Sequence, residues 1–246
     1  MPSIESLLAK RNTQLVGASG NSATAHSRLA LSKSLAESYQ TFNSLRLHLE
    51  SQSRKGEPKS FSVDTKIKVL IKSLIELEYI KEIKANQYKY TNHEARSYLA
   101  GGWLEEFIYC AMQETQPDEA LYQQKVQWQV GKVTGANEID VIARKGDILS
   151  LVSCKACHWN YRSHNQRDRD KLKAFLLETD YWDTHFSSGA GRAVLAVTQD
   201  LIDESNNNTK RSPTIFARAE ILNVDIVSLD FFQWDTLVER LRKHWD

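Results

Sequence analysis

The sequence predicts an α/β fold, in which helices flank a mixed β-sheet and a small helical, winged-helix-like domain precedes it. Residues 28–50 and 63–78 carry apolar side chains at helical spacing, and two short alternating segments follow them. From residue 100 the order changes to a helix, three strands, a helix, a strand and further α/β elements. We therefore expect two domains, 1–95 and 96–246, the second with helices on both faces of its sheet.

The first region is predicted to end in a β-hairpin. Residues 13–27 are small and polar, which is typical of a loop, and 51–60 interrupt the helical pattern with Gly, Pro and charge. Tyr79–Ile83 and Tyr88–Thr91 are predicted strands around a turn at Ala85–Asn86. Helices followed by a short hairpin suggest a winged helix-turn-helix.

The second region alternates between helices and strands, as a sheet covered by helices requires. A tight turn is expected at 145–147 because it contains Gly146. The predicted elements are a helix at 101–114, strands at 125–130, 137–144 and 148–155, a helix at 166–178, a strand at 193–198, a helix at 213–222, a strand at 224–229 and a helix at 231–245.

Charge and cysteine content narrow the function classes. Residues 1–100 contain 15 Lys and Arg against 9 Asp and Glu, the rest of the chain 17 against 22, and the net charge is +1. An acidic half is compatible with nucleic-acid cleavage, because carboxylates that hold metal ions add negative charge. Three cysteines do not suit a disulfide framework. No apolar run reaches the roughly 18 residues of a membrane span, so we expect a cytoplasmic protein without membrane contact.

A set of charged side chains is predicted to converge at one end of the second-region strands. Strand alternation puts Asp140 and Glu138 on one face of their strand, and Ser153 and Lys155 on one face of the next. A tight hairpin brings Asp140 near the end of the second strand, and Glu105 on the preceding helix supplies a second carboxylate. Hard cations such as Mg²⁺ bind carboxylate and carbonyl oxygens, and a nearby lysine stabilises developing charge.

These residues and their order resemble the PD-(D/E)XK, or restriction-endonuclease-like, nuclease superfamily. The resemblance is closest to the winged-helix and nuclease part of the CARF–nuclease fusion effectors of type III CRISPR systems. It is carried by four motifs, Asn92–Arg96, Gly101–Glu105, Asn137–Val141 and Cys154–Lys155. It implies a restriction-endonuclease-like mixed sheet and a nuclease active site.

The resemblance implies a divalent-metal-dependent endonuclease that cleaves DNA, RNA or both with low sequence specificity, in CRISPR-linked antiviral defence. Glu105, Asp140 and the Cys154 carbonyl would bind Mg²⁺ or Mn²⁺, with Glu138 as an auxiliary ligand. Lys155 would assist the attacking water or stabilise the charge that develops on the phosphate. A homodimer is also implied. Glu106 is the alternative to Glu105.

Two departures from the family pattern bear on activity. Ser153 stands where the family has an acidic residue, and a hydroxyl is a much weaker Mg²⁺ ligand than a carboxylate. We count Ser153 among the active-site residues, either as a direct ligand or as a structural residue. We expect no counterpart in this sequence of the CARF domain, which binds cyclic oligoadenylate in the family. We therefore expect that activator only through an absent sensor domain, in a fragment or a natural short form.

The segment after Lys155 is basic and aromatic, which suits phosphate contacts and base stacking. The candidate substrate-binding residues are His158, Tyr161, Arg162 and Arg167, with His164 and Arg169 nearby. The alternative is a loop that leads into a solvated helix. Cys154–His158 also matches the C-x-x-C-H haem pattern, but a cysteine at the end of an apolar strand usually acts as a small hydrophobic residue.

Two further functions stay open at this stage. The chain could be a winged-helix DNA-binding protein with a degenerate nuclease fold, which Ser153 favours and the retained Glu105, Asp140 and Lys155 oppose. It could also be a site-specific restriction-type nuclease, in which the winged segment reads bases. Six lysines of that segment are candidates for phosphate contacts, namely Lys66, Lys68, Lys72, Lys81, Lys84 and Lys89.

Overall fold

The structure is a computed structural model and describes residues 2–52, 65–162, 165–187, 192–203 and 209–245, without the side chain of Lys66. Its helices are α1 (Ile4–Ala9), α2 (Ser22–Glu37), α3 (Tyr39–Gln52), α4 (Thr65–Glu76), α5 (His93–Ser97), α6 (Trp103–Glu114), α7 (Gln166–Trp182), α8 (Pro213–Ile221) and α9 (Trp234–Arg242). Its strands are β1 (Thr13–Val16), β2 (Ile80–Lys84), β3 (Gln87–Tyr90), β4 (Glu119–Val130), β5 (Val133–Lys145), β6 (Ile148–Lys155), β7 (Arg192–Val197), β8 (Ile202–Asp203), β9 (Thr209–Lys210) and β10 (Val224–Val227).

A six-stranded mixed sheet organises the larger part of the chain. Its strand order is β1-β4-β5-β6-β7-β10. The first four of these strands pair antiparallel, whereas β6, β7 and β10 run parallel to one another. This mixed sheet with flanking helices confirms the α/β class predicted from the sequence.

Two apolar clusters attach helices to this sheet. Leu172 and Leu176 of α7 and Ile215 of α8 pack with Leu195 of β7 and Ile226 of β10. Burial of such side chains contributes roughly 1.5–3 kcal/mol each. The second cluster joins α1 to β4, β5 and β6 through Ile4, Leu7, Leu8, Val126, Ile139, Ile142, Leu149, Leu151 and Phe186. Apolar packing therefore holds α1, α7 and α8 against the sheet.

The first 33 residues belong with the large sheet, which differs from the predicted division at 95/96. Contacts group Met1–Lys33 with Leu104–Asp246 as one compact unit and leave Ser34–Trp103 as a second. The reason is β1, which lies within the segment predicted to be a loop and pairs with β4 from Thr13↔Trp128 to Val16↔Lys125. A four-residue strand at a sheet edge leaves little trace in the sequence, because its side chains are only partly buried.

The smaller unit contains helices followed by a hairpin, in the predicted order. The β2–β3 hairpin turns at Asn86, whose φ of 58° suits a tight turn. The buried Arg46 donates to Tyr39, Asn43 and the Ala100 carbonyl, and Phe42 meets Trp103 edge to face. The predicted phosphate-contacting lysines with described side chains are exposed, namely Lys68, Lys72, Lys81, Lys84 and Lys89.

Most other predicted elements are present, with shifted ends. The predicted helix at 28–50 is two helices, α2 and α3, and the strand predicted at 125–130 begins earlier, at Glu119. A π-helical turn at Tyr98–Gly102 leads into α6. None of the helices in the described ranges is long and apolar enough to cross a membrane.

Gly20 offers a test of how the first 33 residues pack. Its N–H donates to the Tyr122 carbonyl at 2.7 Å, and an added Cβ would lie 2.3 Å from Tyr122 Cζ. The Tyr122 ring cannot move easily, because it is buried and its hydroxyl donates to the Asn21 carbonyl. Gly20→Ala should therefore lower the free energy of unfolding by about 1–3 kcal/mol in urea denaturation. In a Tyr122→Ala background the same change should cost much less, and an equal cost in both would contradict this packing.

Candidate active site

The β5–β6 hairpin brings Asp140 to the end of β6. The two strands pair from Lys145↔Ile148 to Val141↔Val152, and Gly146 makes the predicted turn with a φ of 60°. Beyond that register the Cys154 N–H donates to Asp140 Oδ2 at 2.6 Å. The hairpin therefore places the Asp140 carboxylate beside Ser153 and Cys154, as expected from the sequence.

Glu105 of α6 is held by a residue that the sequence did not identify. Gln123 of β4 donates from Nε2 to Glu105 Oε2 at 2.7 Å. The β4–β5 register, with Tyr122↔Val141 and Gln124↔Ile139, puts Gln123 opposite Asp140. Gln123 has a φ of 49°, an unfavourable backbone conformation for a residue with a side chain. Such outliers cluster at functional sites, but a single sequence gives no sign of them.

The two carboxylates form an electrostatically strained pair. Burial raises the pKa of Glu105 to about 7, and the negative charges of Asp140 and Glu138 add to this effect. Burial also raises the pKa of Asp140 to about 6, although the Cys154 N–H and the Lys155 ammonium oppose it. Two desolvated carboxylates with raised pKa values favour either protons or a bound cation.

Lys155 lies at the end of β6 and pairs with a helix residue. Its Nζ lies 3.2 Å from Glu178 Oε1 and 3.1 Å from Oε2, and 5.6 Å from the centre of the Phe175 ring. Glu178 lies on α7, which packs against β6 and β7. The sequence alone does not indicate a role for Glu178, because it is the last residue of the predicted helix and no motif includes it.

A pocket at this site includes Asp140, Lys155 and Glu178 but not Glu105. It is formed by side chains of β5, β6 and α7, namely Glu138, Ile139, Asp140, Leu151, Val152, Ser153, Lys155, Glu178, Thr179 and Trp182. Ser153 is 7% exposed. Glu106, the alternative to Glu105, pairs instead with Arg28 at 3.2 Å. The geometry therefore groups Glu105 with Asp140.

The donor set fits a hard divalent cation in its chemistry. Glu105 and Asp140 provide two carboxylates, and Mg²⁺ is commonly bound through one or two carboxylates and several waters. Within the described ranges no group of three or more His, Cys, Asp and Glu side chains is arranged to hold a metal ion. Burial raises the pKa of the Cys154 thiol well above its ordinary value. Cys154 therefore keeps its proton and can offer only its main-chain carbonyl.

The predicted substrate-binding residues fall into two groups. His158, Arg162 and Arg167 are exposed, and Arg167 lies in the first turn of α7. Tyr161 is only 9% exposed and belongs to the apolar cluster of α7 and β7, so its ring has little surface for stacking on a base. The sequence did not distinguish them, because alternation does not apply in a loop. His164 lies outside the described residues.

A family model matches the part of the chain that contains this site. The model is described as "Card1-like, endonuclease domain" and matches residues 92–179, which is less than half of the chain. The matched segment includes Glu105, Asp140, Ser153 and Lys155. No curated protein matches the sequence.

Two solved structures have a similar fold. Protein VC1899 from Vibrio cholerae superposes with a TM-score of 0.67 at 16% identity, covering 98% of this chain and 61% of that one. Can2 from Sulfobacillus thermosulfidooxidans, solved in complex with cyclic tetra-adenylate, gives a TM-score of 0.66 at 15% identity, with 98% and 60% coverage. The chain therefore spans about three fifths of the length of each. These findings confirm the resemblance to CRISPR-linked nucleases and support an endonuclease domain.

The raised pKa of Glu105 predicts how the free energy of unfolding depends on pH when EDTA removes metal ions. Because its folded-state pKa is about 7 against an ordinary 4.5, its contribution to stability falls as pH rises through that window. Glu105→Gln should therefore raise the free energy of unfolding at pH 8 by on the order of 2 kcal/mol and change little at pH 5. Glu106→Gln is the control and should be destabilising, because it removes the charge that pairs with Arg28 at 3.2 Å. Equal stability of Glu105→Gln and wild type at both pH values would refute the strain.

Proposed function

We propose that this chain is a divalent-metal-dependent endonuclease that cleaves phosphodiester bonds of DNA, RNA or both. One observation carries the proposal: the desolvated pair Glu105 and Asp140, next to Lys155, lies inside the segment that matches an endonuclease domain. Such a pair is unfavourable without a cation, because each carboxylate raises the free energy of ionising the other. A site built at this cost suggests a bound cation.

In this proposal Glu105 and Asp140 bind Mg²⁺ or Mn²⁺, together with the Cys154 carbonyl. When bound, the cation polarises the phosphate and makes a water molecule more acidic. The Gln123 amide orients Glu105, and the Cys154 N–H orients Asp140. Each hydrogen bond leaves further lone pairs on its carboxylate available for the cation.

Lys155 supplies the positive charge of the site. Its Nζ belongs to the pocket that Asp140 and Ser153 line, so it can stabilise negative charge on the phosphate or hold the attacking water. Ser153 lies on the same face of β6 as Lys155, where it lines the pocket. Glu138 is exposed and acts as an auxiliary carboxylate near the pair.

The exposed residues His158, Arg162 and Arg167 bind the phosphates of the substrate in this proposal. Contacts to phosphates carry no sequence information, so low sequence specificity follows. The region predicted as 1–95 connects, dimerises or positions the substrate, and the active form is a homodimer. Residues 96–246 carry the nuclease activity, with β1 completing the edge of their sheet.

A role in CRISPR-linked antiviral defence follows from the same resemblance. The Can2 structure contains cyclic tetra-adenylate, and this chain covers about three fifths of Can2. We propose that a cyclic oligoadenylate acts on this nuclease only through a separate sensor domain.

A DNA-binding protein with a degenerate nuclease site is the second candidate, and it is favoured by the serine at position 153.

A cleavage assay tests the proposed activity. Supercoiled plasmid, single-stranded DNA and single-stranded RNA are incubated with Mg²⁺, Mn²⁺ or EDTA. Wild type should cleave at least one substrate with metal, and EDTA should stop it. Asp140→Asn and Lys155→Ala should each lower the rate roughly 100-fold or more, because they remove charge that acts on the reacting phosphate.

Lys173→Ala is the matched control, since Lys173 pairs with Asp170 on α7 much as Lys155 pairs with Glu178. Its cleavage rate should equal that of wild type. Nucleic-acid binding without cleavage under every condition would support the degenerate-site candidate instead. Discrete fragments from a long DNA would indicate a site-specific nuclease, and a smear would indicate low specificity.

Metal binding itself should depend on pH. With pKa values raised to about 7 and about 6, the free site is largely protonated at pH 5.5, and a cation must displace those protons. Mn²⁺ affinity should therefore rise from pH 5.5 to pH 8. Titration calorimetry in buffers of different ionisation enthalpy should show proton release at pH 6.5 and little at pH 8.5. Affinity that does not change with pH would argue against these two carboxylates as ligands.

A further inference from the structure

Position 153 lacks the acidic residue that the resemblance leads one to expect. The Ser153 side chain is short and 7% exposed, and it lies between Cys154, which contacts Asp140, and the apolar part of β6. A hydroxyl at this position reaches less far than a carboxylate and binds Mg²⁺ more weakly. The pocket therefore has one carboxylate fewer on β6 than the family pattern.

A carboxylate from another element enters the same pocket. Glu178 of α7 lines it together with Asp140, Ser153 and Lys155. Both oxygens of Glu178 lie within 3.2 Å of Lys155 Nζ. The negative charge of Glu178 is also one of the causes that raise the pKa of Asp140. Glu178 thus shares its nearest charged neighbours with the proposed metal site.

The position of Glu178 is fixed by the packing of α7. Leu172, Leu176 and Thr179 are buried, and Thr179 lines the pocket next to Glu178. Thr179 also donates to the Phe175 carbonyl at 2.8 Å. Because the helix cannot rotate without exposing these side chains, the Glu178 carboxylate stays on the side of α7 that faces the pocket.

We propose that Glu178 supplies the negative charge that position 153 lacks, as a charge partner of the cation that Glu105 and Asp140 would bind. The inference rests on the proposed function. In the metal-free protein Lys155 neutralises Glu178. The cation would then be bound by carboxylates of α6 and β5 and the Cys154 carbonyl of β6, with Glu178 of α7 and Lys155 of β6 as the charged groups beside it.

A purely structural role for Glu178 is the competing explanation. Its side chain is 42% exposed, and an ion pair of this kind contributes roughly 0–1 kcal/mol to stability. Glu178→Gln is therefore expected to fold normally. If Glu178 only orients Lys155, the variant should lose cleavage rate but keep its metal affinity. If Glu178 is part of the cation site, metal affinity itself should fall.

The experiment measures Mn²⁺ binding by calorimetry and by the rise in melting temperature, in four variants of the full chain. Glu178→Gln should weaken Mn²⁺ binding by about tenfold or more. Asp170→Asn should bind as wild type does, because Asp170 pairs with Lys173 on the same helix and does not line the pocket. Ser153→Glu in the Glu178→Gln background should restore most of the affinity and the cleavage, and Ser153→Glu alone shows whether the new carboxylate is tolerated.

The outcomes separate the two proposals. Wild type that binds Mn²⁺ and cleaves nucleic acid, with Glu178→Gln binding equally well, would overturn the role of Glu178 and leave the endonuclease intact. Wild type that neither binds Mn²⁺ nor cleaves would overturn both. Reduced Mn²⁺ affinity in Glu178→Gln, unchanged affinity in Asp170→Asn and rescue by Ser153→Glu would support the exchange of one carboxylate position for another.

Discussion

The central place of β5 in the sheet is the constraint on which the site depends. Its neighbour on one side is β4, which carries Gln123, and on the other side β6, which carries Cys154 and Lys155. Because sheet hydrogen bonds fix the register of all three strands, the groups that orient both carboxylates are fixed by main-chain geometry. The two glutamates Glu105 and Glu178 come from helices, and α7 is anchored to the sheet by apolar packing.

Desolvation gives this arrangement its chemical character. A carboxylate in water is stabilised by hydration, whereas a partly buried pair favours either a proton or a cation, since its hydration has been removed and its charges repel. The site combines that unfavourable pair with a lysine that lies close enough to oppose the pKa rise of Asp140. In the proposed function, the balance of the two effects would let the site exchange protons for metal near neutral pH.

The sequence predicted the site geometry where side chains alternate along a strand or form a recognisable motif. Alternation in 137–144 and 148–155, with Gly146 between them, was enough to predict that Asp140 meets the end of β6, and the hydrogen bond from Cys154 agrees with this. The sequence did not predict features that depend on tertiary contacts. The strand β1 is short and half-exposed, the Gln123 conformation leaves no compositional trace, and Glu178 becomes relevant only through the packing of α7. Aromatic composition suggests base stacking for Tyr161, but burial depends on the fold, and the ring is buried in the apolar cluster of α7 and β7.

The left-handed backbone at Gln123 restricts which amino acids this position can accept. A φ of 49° costs an ordinary residue about 1–2 kcal/mol. Glycine or asparagine would relieve that cost. However, glycine has no side-chain amide, and the asparagine side chain is one carbon shorter than that of glutamine. Glutamine combines the reach to Glu105 with a conformation that it adopts poorly. Engineering for greater stability would therefore favour replacement at this position, and the more stable protein would have a less well-oriented carboxylate.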